Sequence, residues 1–334
     1  MLNGESKPMK VVIPGGTGQV GTILARAIHA EGHEVVVLSR TPRQMPSPWR
    51  VVAWDARSPG SWTAELEGAD VVINLAGRSV NCRYTPENRR LILESRVDST
   101  HAVGRAIAAA VRPPRVWLQA GTATIYAHRF DAPNDESTGI LGGSEPDLPD
   151  TWRFSLDVAA AWERAMDEIS LPRTRKVVLR AAMVMSPDHG GVFDTLLRLV
   201  RFGFGGRVGD GRQYVSWIHE VDFIRAVRWL IDRDDLAGPV NLAAPGPLPY
   251  AEFLGALRRA WRMPIGLPAP RWMLEIGTRL LGTESELVLK SRRVVPGRLL
   301  ESGFAFLFPA WPDAARDLCT TWRAARQSVA PSTT

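Results

Sequence analysis

Lysine is nearly missing from this chain. Among 41 basic residues only Lys7, Lys10, Lys176 and Lys290 are lysines, and none falls between positions 11 and 175. Tyrosine is as scarce, at Tyr84, Tyr126, Tyr214 and Tyr250; four residues beyond stand Asn88, Phe130, Ile218 and Leu254, so no Tyr-x-x-x-Lys pair exists. That excludes proton transfer by a tyrosine tuned by a lysine one helical turn away. The two cysteines, Cys82 and Cys319, match no metal or redox spacing. No run of about twenty apolar residues is present, which excludes a membrane-spanning helix. The opening MLNGESKPMK has no apolar core of a secretory signal. A reduced, cytoplasmic protein without a metal is expected. The net charge of +6 comes from scattered arginines, with no basic stripe or nucleic-acid module. The expected partner is therefore a small molecule, neither nucleic acid nor membrane, with the oligomeric state left open. Arginine suits bidentate grip of a phosphate or carboxylate, so an anionic ligand fits this composition.

The apolar runs that are there alternate with helical patterns. Strands are expected at Lys10–Pro14, His33–Ser39, Arg50–Trp54, Val71–Ala76, Arg115–Gln119, Lys176–Ala182 and Gly238–Ala244. Helical spacing runs through Gln19–Glu31, Leu91–Ala110, Ser155–Ile169 and Glu220–Arg233. This alternation predicts an α/β, Rossmann-type, doubly wound parallel sheet with a smaller C-terminal α/β lobe. The expected division is a dinucleotide-binding domain over 9–185, with strand 238–244 returning to the sheet, and a substrate lobe over 186–237 and 245–325. The termini, 1–8 and 328–334, are expected to be disordered.

The stretch PGGTGQVG places Gly15, Gly16, Gly18 and Gly21 between the first strand and the first helix, with Thr17, Gln19 and Val20 among them. Glycine permits the tight turn and the approach of backbone to a pyrophosphate, which the helix N-terminus attracts. An NAD binder usually ends its second strand in Asp or Glu. Here the strand ends VLSRTPR, so Ser39, Arg40 and Arg43 suit a 2′-phosphate, and NADP(H) is the expected cofactor. Asp55, after the third strand, is a candidate partner for the adenine amine.

Together with INLAG (Ile73–Gly77), TATIYA and WIHEVD (Trp217–Asp222), this turn resembles the extended, epimerase-like branch of the short-chain dehydrogenase/reductase superfamily. The likeness is closer to the atypical epimerase-family proteins with a C-terminal domain of unknown function, through RYTPENRRLILESRVDST (Arg83–Thr100), GDGRQYVSWIH, GPVNLAAP and RRVVPGRLLESGFAF (Arg292–Phe306). It covers roughly residues 9 to 320. The resemblance implies an NADP(H) domain in which Leu75, Ala76 and Gly77, and then Ala120, run along the cofactor. It also implies that Thr122 takes the superfamily's Ser/Thr place, to hydrogen-bond a carbonyl or alcohol. Ser155 and Ala159 fill the places of the tyrosine and lysine. Arg96 stands where standard members carry an asparagine, and a guanidinium there suits an anion or a polarised carbonyl. Tyr126 is distinct from the branch's catalytic tyrosine and is expected to line the substrate pocket, with Arg96, His128 or Arg83 as cationic neighbours. His219 is read as structural, with Asp222 as a cap. The place of a sugar-nucleotide-gripping arginine is Val215, which disfavours a nucleotide-sugar substrate.

Thr122, Tyr126 and Arg96 are thus the catalytic candidates, and Arg83, Trp152, Arg212, Gln213 and Trp217 the substrate-binding ones. The long loop His128–Asp150 reads as a lid. Three functions remain: an NADP(H)-dependent oxidoreductase acting on a small carbonyl or alcohol, an epimerase or isomerase with tightly held cofactor, and a non-catalytic NADP(H)-binding redox sensor.

Overall fold

The computed structural model describes residues 7–42, 47–268 and 289–327. Seven strands form one parallel sheet: β1 (Lys10–Pro14), β2 (Glu34–Ser39), β3 (Arg50–Ala53), β4 (Val71–Asn74), β5 (Val116–Thr122), β6 (Arg175–Ala181) and a late strand, β10 (Gly238–Leu242). Their spatial order is β10-β6-β5-β4-β1-β2-β3. The order reverses between β1 and β4, and ligands of such sheets bind outside the carboxyl ends of the strands at that point.

Strand alternation explains why both faces are apolar. Val11, Ile13, Val35, Val37, Val71, Ile73, Val116 and Leu118 point to one face. Val12, Val36, Leu38, Val72 and Trp117 point to the other. Helices α1 (Gln19–Ala30) and α5 (Glu220–Asp232) cover the first face with Ile23, Leu24, Ile28, Phe223, Val227 and Leu230. Helices α2 (Pro86–Ala109) and α3 (Asp150–Asp167) cover the second with Val103, Ile107 and Met166.

A second core belongs to the C-terminal half. It joins α4 (Val192–Arg201), α6 (Tyr250–Trp261) and the last helix, α8 (Trp311–Gln327), around Trp217, Phe253 and Trp311. Two small ladders attach it: β7 (Met183–Met185) pairs with β9 (Trp217–His219), and β8 (Tyr214–Val215) with β11 (Leu248–Pro249). A short helix, α7 (Gly297–Glu301), packs by β10.

Two boundaries differ from the sequence reading in ways that shape the site. Helix α2 begins five residues earlier than expected, at Pro86, because the Thr85 side chain accepts from Asn88 N–H and Pro86 takes a first-turn position. Strand β5 ends three residues later than expected, because Ala120, Gly121 and Thr122 continue the register with Leu179, Arg180 and Ala181 of β6. The loop over 128–150 is strapped down. Asn134 exchanges backbone hydrogen bonds with Arg293 and Val295, and the Glu136 carboxylate accepts from Asn241 N–H at 2.7 Å. The expected disordered termini lie outside the described residues except for Lys7 and Pro8.

Candidate active site

The glycine turn lies where β1, β2 and β4 converge. Gly15 has φ +75°, and a Cβ there would stand 2.7 Å from Ala76 backbone atoms. Added Cβ atoms at Gly16 and Gly21 would meet the Val37 side chain at 2.8 Å and the Gly16 backbone at 2.5 Å. These three glycines are therefore explained by packing within the chain. Gly18 is different: it caps α1 with φ −72°, and a Cβ would meet only the Gly15 carbonyl at an ordinary 3.6 Å. The first turn of α1 has no side-chain cap and no acidic residue, so no side chain takes up its amide groups beside the space that Gly18 leaves open. Gln19 packs against Gly191, and its Nε2 is buried without a partner among the described residues. An open helix N-terminus with an orphaned amide donor beside it suits a pyrophosphate. Thr17 is exposed and Val20 half-buried along the same turn.

At the end of β2, Ser39 is buried and its Oγ accepts from Thr41 N–H. Arg40 is exposed and has no ion pair among the described residues. Arg43 lies outside them. Asp55 is exposed after β3; its Oδ1 accepts from Ser58 and Arg57 N–H, both at 2.8 Å, and these bonds hold its carboxyl below the usual value. Beyond β4, Leu75 N–H donates to the Pro14 carbonyl and Ala76 N–H to Asn74 Oδ1. The buried Asn74 Nδ2 donates in turn to Gln119 Oε1 at 3.0 Å, tying β4 to β5. Gly77 has a reason beyond cofactor approach, since a Cβ there would crowd the Arg96 side chain at 3.3 Å.

Next to these strand ends opens a cleft of about 260 Å³. Gly121, Thr122 and Thr124 form its floor. Val80, Tyr84, Ile92, Phe154, Val158 and Trp162 form apolar walls from α2, α3 and the preceding loop. Its charged side chains are Arg96 from α2 and Arg292 from the C-terminal segment, and none of the described lining residues is acidic. Arg96 Nη1 donates to the Arg78 and Ile92 carbonyls, both at 3.0 Å, and the guanidinium lies 4.9 Å from the Trp162 ring centroid. Burial pushes its pKa down to about 10. Arg292 Nε donates to Thr124 Oγ1 at 3.2 Å. Thr122 Oγ1 accepts from Thr124 N–H at 3.1 Å. Ser155, in the place the resemblance gives to the tyrosine, lines the cleft, whereas Ala159, in the lysine's place, is buried among Ala123, Ile125, Tyr126 and Val294.

Of the three catalytic candidates, Thr122 and Arg96 come together here and Tyr126 does not. Its ring is buried with 2 % exposure. Its hydroxyl donates to Asn241 Oδ1 at 3.0 Å and accepts from Arg180 Nη1 at 2.9 Å. Burial raises its pKa above the ordinary value against the pull of Arg180, so the phenol stays neutral and occupied. The substrate-binding candidates are also elsewhere. Trp217 is fully buried against Trp311 in the second core, with its indole N–H on the Gly246 carbonyl. Gln213 is buried and donates to the Val208 carbonyl. Trp152 packs on His128, and Arg212 and Arg83 are exposed outside the cleft lining. His219 has a structural place, but the cap is its own ring and not the expected Asp222: His219 Nδ1 accepts from Val221 N–H at the start of α5, while Asp222 lies in the first turn and accepts from Leu307 and Phe308 N–H. Sequence reasoning missed Arg292. It sits in a motif that carried the resemblance, yet nothing local ties it to a threonine 168 positions away.

A parallel sheet with an open glycine turn at its switch point defines a dinucleotide-binding α/β protein. Residues 11–243 match the NAD dependent epimerase/dehydratase family and residues 269–318 a domain of unknown function, DUF1731; the chain belongs to that family. It is 30% identical to the epimerase family protein YfhF of Bacillus subtilis, over 90% of this chain and 94% of that one. It is also 30% identical to the epimerase family protein SDR39U1 of Mus musculus, over 93% and 99%. The crystal structure of human SDR39U1 (isoform 2) with NADPH superposes with a TM-score of 0.80 at 27% identity, covering 93% of this chain and 99% of that one.

Proposed function

We propose that the protein is an NADP(H)-dependent oxidoreductase that interconverts a small carbonyl compound and its alcohol without a Tyr-x-x-x-Lys pair. The observation that carries this reading is the room at Gly18, which no described residue fills, beside an uncapped helix N-terminus. Preference for the phosphorylated cofactor is supported by Arg40 beyond β2, which has no ion pair among the described residues, by the lack of an acid at the end of that strand, and by the NADPH in the human relative.

In the reductive direction, carbonyl, NADPH and one proton become alcohol and NADP⁺, and the nicotinamide supplies the hydride. The chain's own residues orient the substrate and stabilise charge. Thr122 Oγ1 already accepts from backbone, so its O–H is left to donate to the substrate oxygen. The positive charge of Arg96 acts through space on negative charge developing on that oxygen, in a partly dehydrated cleft. The proton comes from water, because Arg96 stays protonated at neutral pH and the Tyr126 hydroxyl is committed elsewhere.

One observation favours a second reading, a non-catalytic NADP(H) sensor: no histidine, lysine or carboxylic acid is among the described residues lining the cleft. Calorimetry with NADPH, NADP⁺, NADH and NAD⁺ tests the common ground. The phosphorylated forms should bind more tightly, and Arg40→Asp should remove roughly 1.5–3 kcal/mol of that preference, about ten- to a hundredfold. Absence of dinucleotide binding would sink both readings. Consumption of NADPH, followed by absorbance with a panel of carbonyl compounds, separates them.

A further inference from the structure

The cleft pairs a half-buried cation with apolar walls, and the combination specifies a ligand. Arg96 is drawn out of water far enough to lower its pKa to about 10. Arginines withdrawn from water ordinarily meet a carboxylate; the more deeply buried Arg180 does, on Glu163. Arg96 meets only two carbonyl oxygens, through one nitrogen, and its Nε and Nη2 have no partner among the described residues. The indole face of Trp162 and the glycine at position 77 hold the guanidinium in place. Arg292 adds a second positive charge to the same cleft. Around them Ile92, Val158, Phe154 and Trp162 offer surface suited to a ring or branched alkyl group. At about 260 Å³ the space lies just under the usual range for small-molecule pockets, ~300–1,000 Å³.

We propose that the cleft takes a small carboxylic acid with an aromatic or branched apolar body, of the 2-oxo or 2-hydroxy acid class. Arg96 receives the carboxylate, and Arg292 makes the C-terminal domain of unknown function a contributor to substrate selection. A planar guanidinium matches a carboxylate with two parallel hydrogen bonds. The oxygen next to that carboxylate would then lie toward Thr122, on the floor of the same cleft. This substrate class rests on the oxidoreductase reading only for the carbonyl; the carboxylate and the apolar body rest on the cleft itself.

The test is calorimetric titration of the full chain, with and without saturating NADPH, using three probes: phenylpyruvate, its methyl ester and pyruvate. Phenylpyruvate should bind roughly tenfold or more tightly than either of the others, since the ester lacks the charge and pyruvate the ring. Arg96→Met should abolish the difference between acid and ester while leaving NADPH affinity unchanged, Arg96→Lys should restore part of it, and Arg292→Met should reduce it. Equal affinity for acid and ester, or no binding of any probe, overturns the proposal. So does a loss of NADPH affinity in Arg96→Met, which would assign the guanidinium to the cofactor. The acid–ester comparison needs no variant, so a poorly folding mutant does not blunt it. Tight phenylpyruvate binding with no NADPH consumption would uphold the ligand class and overturn the oxidoreductase reading alone.

Discussion

At position 18 the backbone is one any residue adopts, and the nearest atom to an added side chain is 3.6 Å away. Gly18→Asp should therefore fold normally. As an N-cap, Asp is as good as or better than glycine, by a few tenths of a kcal/mol. Dinucleotide binding should disappear, because the new carboxylate would occupy the place of the pyrophosphate and repel it. Thermal denaturation and calorimetry on the same sample check both halves. The sequence showed four glycines in a row of motif positions; it did not show that three answer to packing and one to a ligand.

At the scale of elements, α3 is fastened to β6 by one ion pair. Arg180 Nε and Nη2 donate to the two Glu163 oxygens at 2.8 Å, and its Nη1 donates to the Tyr126 hydroxyl. Burial works against the Arg180 charge, yet Glu163 outweighs it and the pKa is raised. Glu163→Ala leaves that guanidinium buried without its counter-charge and should cost about 3–5 kcal/mol in urea unfolding. The double variant Glu163→Leu with Arg180→Met should cost clearly less than the single one. Helix α3 was legible from its 3.6-residue spacing, and its partner strand from an apolar run. The pair between them was not, because 17 residues separate its members and neither sequence neighbourhood mentions the other.

Across the whole molecule, the C-terminal segment and last helix are tied to β9 and α5 through the buried polar groups His219 and Asp222. Asp222 accepts from Leu307 and Phe308 N–H, both at 2.8 Å. The His219 ring pairs with Asp317 at 3.1 Å and stacks on Phe308. With Nδ1 accepting from Val221, the proton sits on Nε2 and faces Asp317. Burial lowers the pKa of His219 against the pull of Asp317. The unfolded chain therefore binds a proton more readily than the native one. This contribution to stability is present above the ordinary histidine value, about 6.5, and is lost as pH falls toward the depressed native value. The stability difference between the wild type and His219→Asn, which keeps a cap but cannot titrate, should shrink on acidification below pH ~6.5 by up to about 1.4 kcal/mol per pH unit. Urea titrations between pH 5 and 8 would show it.

Period and punctuation are local, and through them the chain by itself determined the parallel sheet, the helices on both faces, the glycine turn and the missing Tyr-x-x-x-Lys. These follow from which neighbours alternate, which recur at helical spacing, and which residue types are simply not there. The cleft was decided only by tertiary structure. Arg96, Thr122, Trp162 and Arg292 come from α2, β5, α3 and the C-terminal segment, and they meet because sheet order and the packing of the C-terminal segment bring them together. Tyr126 lies four residues from Thr122 and yet points into a buried network instead. Whether a polar side chain faces a ligand or its own core depends on partners distant in sequence, and no local pattern records them.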